Sequence, residues 1–178
     1  MPGNDWVYID SCSTYNFVYQ IVDLDTTFKP GQTLSKLSVA APRLGEEYRQ
    51  ERDAALLIYG RVEPGGATVR YAPPVVAYRY CMDVGQTWET TATRMAGPRS
   101  CPQTVTYRST VEGTETIEAS PGTFFTTFRL RRQATDTTDG STQETMLWVS
   151  PYVGLARSQT AGLTVSLLGM SLRRGLRC

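Results

Sequence analysis

The chain has 178 residues, with 18 Lys and Arg against 17 Asp and Glu and no histidine. That length holds one sizeable core and leaves too little for two full domains, and the near-neutral charge implies neither a nucleic-acid surface nor a polyacidic partner. The missing imidazole excludes Ser-His-Asp and Cys-His catalysis, HExxH zinc sites, facial triads and histidine-ligated haem together.

Thr, Val, Tyr and Gly are abundant and Lys is rare, a balance that favours strands and turns over surface helices. Met1 to Cys12 does not read as a signal peptide, because Asp5, Trp6 and Asp10 interrupt any apolar core and no basic flank precedes it, so the expectation is either trimmed export information or a protein that stays inside. The longest apolar run, Ala54 to Tyr59, falls far short of the roughly 20 residues of a spanning helix, so no transmembrane segment is expected. Tyr15, Phe17, Tyr19 and Ile21 then share one strand face, followed by a turn at Lys29-Pro30-Gly31. Leu44 to Tyr59 has too poor an apolar stripe for a good helix; it reads as an exposed strand or short helix over Glu46 to Arg52 and a buried strand over Ala54 to Tyr59.

Turns are expected at Glu63-Pro64-Gly65-Gly66, Ala72-Pro73-Pro74, Gly97-Pro98, Ser120-Pro121-Gly122, Asp139-Gly140 and Ala161-Gly162. Between them Val105, Tyr107, Ser109 and Val111 line one face. Phe124, Thr126, Phe128 and Leu130 line another, with Phe125, Thr127, Arg129 and Arg131 on its reverse, and Leu163, Val165 and Leu167 repeat the pattern. Short strands punctuated this often predict an all-β fold: a single antiparallel meander forming a curved sheet, an open half-barrel or a sandwich. Residues 1–178 read as one β domain with its best-supported core at 54–168 and a basic tail at 171–178.

The chemistry-bearing residues are sparse. Cys81 and Cys101, each beside a turn that flanks the Trp88 strand, are the candidate disulfide, against four buried free thiols; Cys12 with Cys178 is a second pairing, and Cys12 lacks the small-residue approach of a lipid-anchored cysteine. No CxxC and no phosphate-binding glycine loop occurs, so neither metal nor cofactor is expected. Glu46 with Glu47 and Glu112 with Glu115 are carboxylate pairs without a supporting constellation, so the chain is read as no enzyme. Arg129, Arg131 and Arg132, and separately Arg173, Arg174 and Arg177, read as arginines on a wet face and in a tail; no aromatic platform is interleaved for nucleic acid. Trp88 and Trp148 read as core.

Pro73-Pro74 followed by Cys81 to Trp88, then Val111-Glu-Gly-Thr-Glu115, Ala119-Ser-Pro-Gly-Thr-Phe124 and Leu147-Trp-Val-Ser-Pro-Tyr-Val-Gly-Leu155, resemble a spaced signature of bacterial envelope proteins and lipoproteins. The likeness spans about Ala54 to Leu168, and the group is similar to the open half-barrel carriers of the LolA and LppX type. Tyr80-Cys81-Met82 departs from the usual Pro-Leu approach, and the sequence holds no helical lid. The resemblance implies export to the periplasm or cell surface and oxidised cysteines, with Gly85, Gly122 and Gly154 setting turns and Trp88, Phe124 and Trp148 buried. Family membership says little about activity, and the leading expectation is a non-enzymatic, exported β-domain that acts through protein contacts, as an accessory subunit or a surface or filament component, docking through edge strands. The rival is a carrier of an acyl chain or other hydrophobic ligand in a groove lined by Val105, Tyr107, Phe124 and Phe128. A filled interior favours the first and an apolar pocket the second.

Overall fold

The computed structural model describes residues 5–10, 16–25, 28–29, 31–40, 45–63, 65–97, 100–120, 122–151, 153–161 and 163–171. Among them lie twelve strands and no helix: β1 (Asp5–Asp10), β2 (Asn16–Asp25), β3 (Leu34–Ala40), β4 (Gly45–Arg52), β5 (Ala55–Val62), β6 (Thr68–Arg79), β7 (Thr87–Ala96), β8 (Gln103–Ser120), β9 (Thr123–Asp136), β10 (Thr142–Ser150), β11 (Gly154–Thr160) and β12 (Leu163–Ser171). Each pairs antiparallel with the next, as the expected meander requires. The sheet curls until β1 meets β12, with Asp5 opposite Ser171 and Trp6 opposite Met170, so the ladder closes into a barrel. Of the shapes that alternation allowed, the chain takes the curved sheet and carries its curl to closure. Closure satisfies the backbone groups of the first and last strands and removes the terminal edges on which docking was expected to depend.

The doubtful segment before Tyr59 is a hairpin. β4 and β5 are joined by Asp53 and Ala54, both at φ 53, the positive values that a two-residue hairpin turn demands. Gly85, Gly122 and Gly154 take φ 89, 75 and 87, as expected of turn glycines. Ala72-Pro73-Pro74 is the exception. It lies inside β6 and not in a turn, and pairing with β7 stops at Ala72 opposite Thr93, because the prolines have no N–H to offer the ladder. The prolines inside the Lys29, Glu63, Gly97 and Ser120 turns, and Gly162, lie outside the described residues, as do Tyr15, Cys12, Arg173, Arg174, Arg177 and Cys178.

One apolar cluster joins Leu56 of β5 and Tyr78 of β6 to Trp88, Val111, Leu130, Leu147 and Val149, with Phe128 and Leu155 packed against it. β5 and β6 are not ladder neighbours of β10 and β11, so these side chains meet only through the interior. Two further clusters lie on the outer face. The β2–β3 loop lays Phe28 on Tyr48, ring centroids 4.0 Å apart, beside Leu34 and Tyr59. Gly60 beneath it is obligatory, since a Cβ there would run into the Val69 carbonyl and the Phe28 ring.

The other outer cluster lies under the end of β8. β7 pairs with β8 only from Gln103 to Thr110, and a bulge at Glu112 follows. Among the described residues, β8 from Glu112 onward pairs with β9 alone, so the two form an arm that leaves the β7 ladder. The arm folds over β10 and β11 and buries Ile117 against Trp148 and Ala156.

Candidate binding site

The sequence-derived residues distribute over three places. Val105, Ser109 and Val111 are buried and face inward with half-buried Tyr107, as their shared alternation predicts. Phe128 also packs inward, but Phe124, at the tip of the arm, is 62% exposed. The four proposed groove residues are therefore not one surface, and Phe124 is no core anchor. Alternation sets its face, and the arm carries that face past the end of the barrel. Trp88 and Trp148 are both buried, as expected.

Cys81 and Cys101 are exposed and are not bridged to each other. They stand beyond opposite ends of β7, whose ten residues span about 30 Å, whereas a disulfide needs Cα atoms within roughly 7 Å.

The basic cluster divides by alternation. Arg131 bonds Glu112 at 2.9 Å on the outer face, and Arg129 lies 3.5 Å from Glu112 and 3.8 Å from Glu115. Trp148 donates its Nε1–H to Glu115 at 3.0 Å, and Arg157 donates to the Glu118 carbonyl at 3.1 Å, so polar contacts clamp the arm at both ends of its apolar patch. Exposed pairs of this kind contribute little each, and the buried indole dominates.

Arg132 points the other way, continuing the inward face of Leu130. Its Nε donates to Ser109 Oγ at 3.3 Å, and its Nη2 crosses the interior to the Val76 carbonyl of β6 at 3.2 Å. Loss of hydration pulls its pKa down to about 10, although part of the side chain stays accessible. Around it the interior is polar. Burial raises the Glu47 pKa against the opposing pull of Arg49, Arg61 and Arg132. Tyr107 and Tyr78 are pushed up to about 12, chiefly by burial; Tyr107 bonds Tyr71, and Tyr78 takes a backbone hydrogen bond from Leu155. Tyr80 is raised further by burial and by its bond to Glu51.

The interior thus has two halves, an apolar one packed by its own side chains and a polar one built from arginine, tyrosine and Glu47. The solved structure of the hypothetical lipoprotein YmcC from Escherichia coli (K12) is similar over 94% of this chain and 86% of that one, at TM-score 0.57 and 10% identity. The two share a fold. A candidate lipoprotein from Parabacteroides distasonis ATCC 8503 covers 96% of both chains at 13% identity and TM-score 0.49. No protein-family profile and no curated protein matches the chain.

The YmcC likeness concerns backbone course alone and does not extend to the polar side chains of the interior. Sequence reading missed Glu47, Tyr78 and Arg132 as a group because they lie on three strands. One signal was available for Arg132, which stands two places after Leu130 on the face already assigned inward.

Proposed function

We propose that the chain is a non-catalytic, exported bacterial β-domain that acts through protein contacts, as an accessory subunit or a surface or filament component of an envelope assembly. The arm carries this reading. Among the described residues, β8 from Glu112 to Ser120 exchanges ladder bonds on one side only, and Phe124 at its tip is largely exposed. A one-sided strand with an exposed aromatic suits addition of a partner's strand or seating in a partner's pocket.

The interior cluster of Leu56, Tyr78, Trp88, Leu130 and Val149 favours this reading over a carrier of an acyl chain, because those side chains already occupy the apolar half of the barrel. The fold likeness to a hypothetical lipoprotein supports export and an envelope location, periplasmic or at the cell surface. A photo-crosslinking residue at Phe124, compared with one at exposed Glu144 in the β9–β10 hairpin, tests it in bacterial cells. The expected result is a discrete protein adduct from position 124 and none from 144. Lipid adducts alone, or no adduct from the arm, would contradict it.

A further inference from the structure

We propose that the seam between β6 and β7, below Pro73-Pro74, binds an oxyanion group, a carboxylate or phosphate, through Arg132, Arg79 and the Trp88 indole. This goes beyond the protein-contact reading and does not depend on it.

The double proline creates the place. Past Ala72 and Thr93 the two strands exchange no ladder bonds, so the flank of Val76 to Arg79 faces the flank of Thr87 to Ala92 across an unpaired gap. Trp88 stands opposite Ser109, and Ser109 stands opposite Arg132, so the three form one row across β7, β8 and β9. Arg132 bonds Ser109 and reaches beyond it to Val76, which lays its guanidinium across the row toward the seam. Arg79 comes in from β6 and stacks over the Trp88 ring, 5.9 Å from its centroid.

Donors are in excess here. Trp88 is 8% exposed, yet among the described residues its Nε1–H finds no acceptor, and neither does the buried Nε–H of Arg79. Arg132 spends its bonds on a hydroxyl and a carbonyl, both neutral, although a guanidinium is matched to oxyanions. Two orphaned N–H groups and a guanidinium that bonds no carboxylate among the described residues suit one charged, multivalent acceptor, because leaving such donors unmet inside a protein is costly. Glu47 faces Arg132 from β4, but no hydrogen bond joins the two among the described residues.

The indole N–H resonances of Trp6, Trp88 and Trp148, labelled with 15N and assigned by Trp→Phe variants, provide the test. The full chain is titrated with inorganic phosphate and separately with glucuronate, with chloride at equal ionic strength as control. The Trp88 resonance is expected to move saturably with at least one oxyanion and not with chloride, while Trp148, held by Glu115, stays in place. Arg132→Met and Arg79→Met should each weaken the titration by roughly tenfold or more, the worth of a charge-assisted hydrogen bond. Should Arg132→Met fail to fold, Arg79→Met decides, since Arg79 lies at the edge of the seam. A Trp88 resonance unmoved by both oxyanions, or a shift that survives Arg79→Met, overturns the proposal.

Discussion

Trp148 joins apolar burial and a polar clamp in one side chain. Its ring packs against Ile117 and Ala156 while its Nε1–H holds Glu115, so it fastens the arm to the barrel wall. Replacing it with alanine removes both contributions and should cost about 3–5 kcal/mol in urea denaturation. Phenylalanine keeps most of the burial and should cost about 1–3 kcal/mol through the lost bond to Glu115. Equal stability of Trp148→Ala and the parent would show that the arm does not depend on this residue. Glu47 makes a prediction of opposite character. Burial raises its pKa above the ordinary carboxylate value, so its contribution to stability is intact below that ordinary value and is lost as pH rises through the higher folded one. Glu47→Gln stays neutral and should lack this decline, becoming more stable than the parent above the window but not below it. Parallel pH profiles for the two proteins would show that Glu47 does not titrate in this way.

The elements show where local pattern succeeds and where it misleads. Alternation from Val105 to Val111 and from Phe124 to Leu130 assigns the right faces, because an antiparallel strand repeats every two residues whatever its surroundings. It cannot tell how far a strand outruns its neighbour, so the exposure of Phe124 was hidden. Prolines misled at Ala72-Pro73-Pro74 for a physical reason: Pro ends pairing on one flank but leaves the strand free to pair with β5 on the other. Gly60 is a further element-scale test. It lies at a register shift in β5, under Phe28 and against the Val69 carbonyl, so Gly60→Ala must displace backbone or ring. A loss of about 1–3 kcal/mol in thermal or urea unfolding is expected. An unchanged midpoint would mean that the β2–β3 loop is not seated on β5.

For the whole molecule, length, strand-rich composition and regular turns were enough for a single antiparallel meander, since these features act locally and add along the chain. Closure was not legible, because it depends on accumulated twist and on the pairing of β1 with β12, residues far apart in sequence. The polar interior was hidden for the same reason. Glu47, Tyr78 and Arg132 are ordinary strand residues until the curl brings β4, β6 and β9 to face one another. The disulfide expectation failed on the same ground, two cysteines near in sequence being held apart by the length of β7.

An apolar interior filled by the protein's own side chains leaves partners to be met from outside. Native mass spectrometry of the protein isolated from its own cells tests this most directly. It should reveal a complex with another polypeptide and no acyl-chain mass on the barrel, whereas a stoichiometric bound lipid without a protein partner would contradict the account.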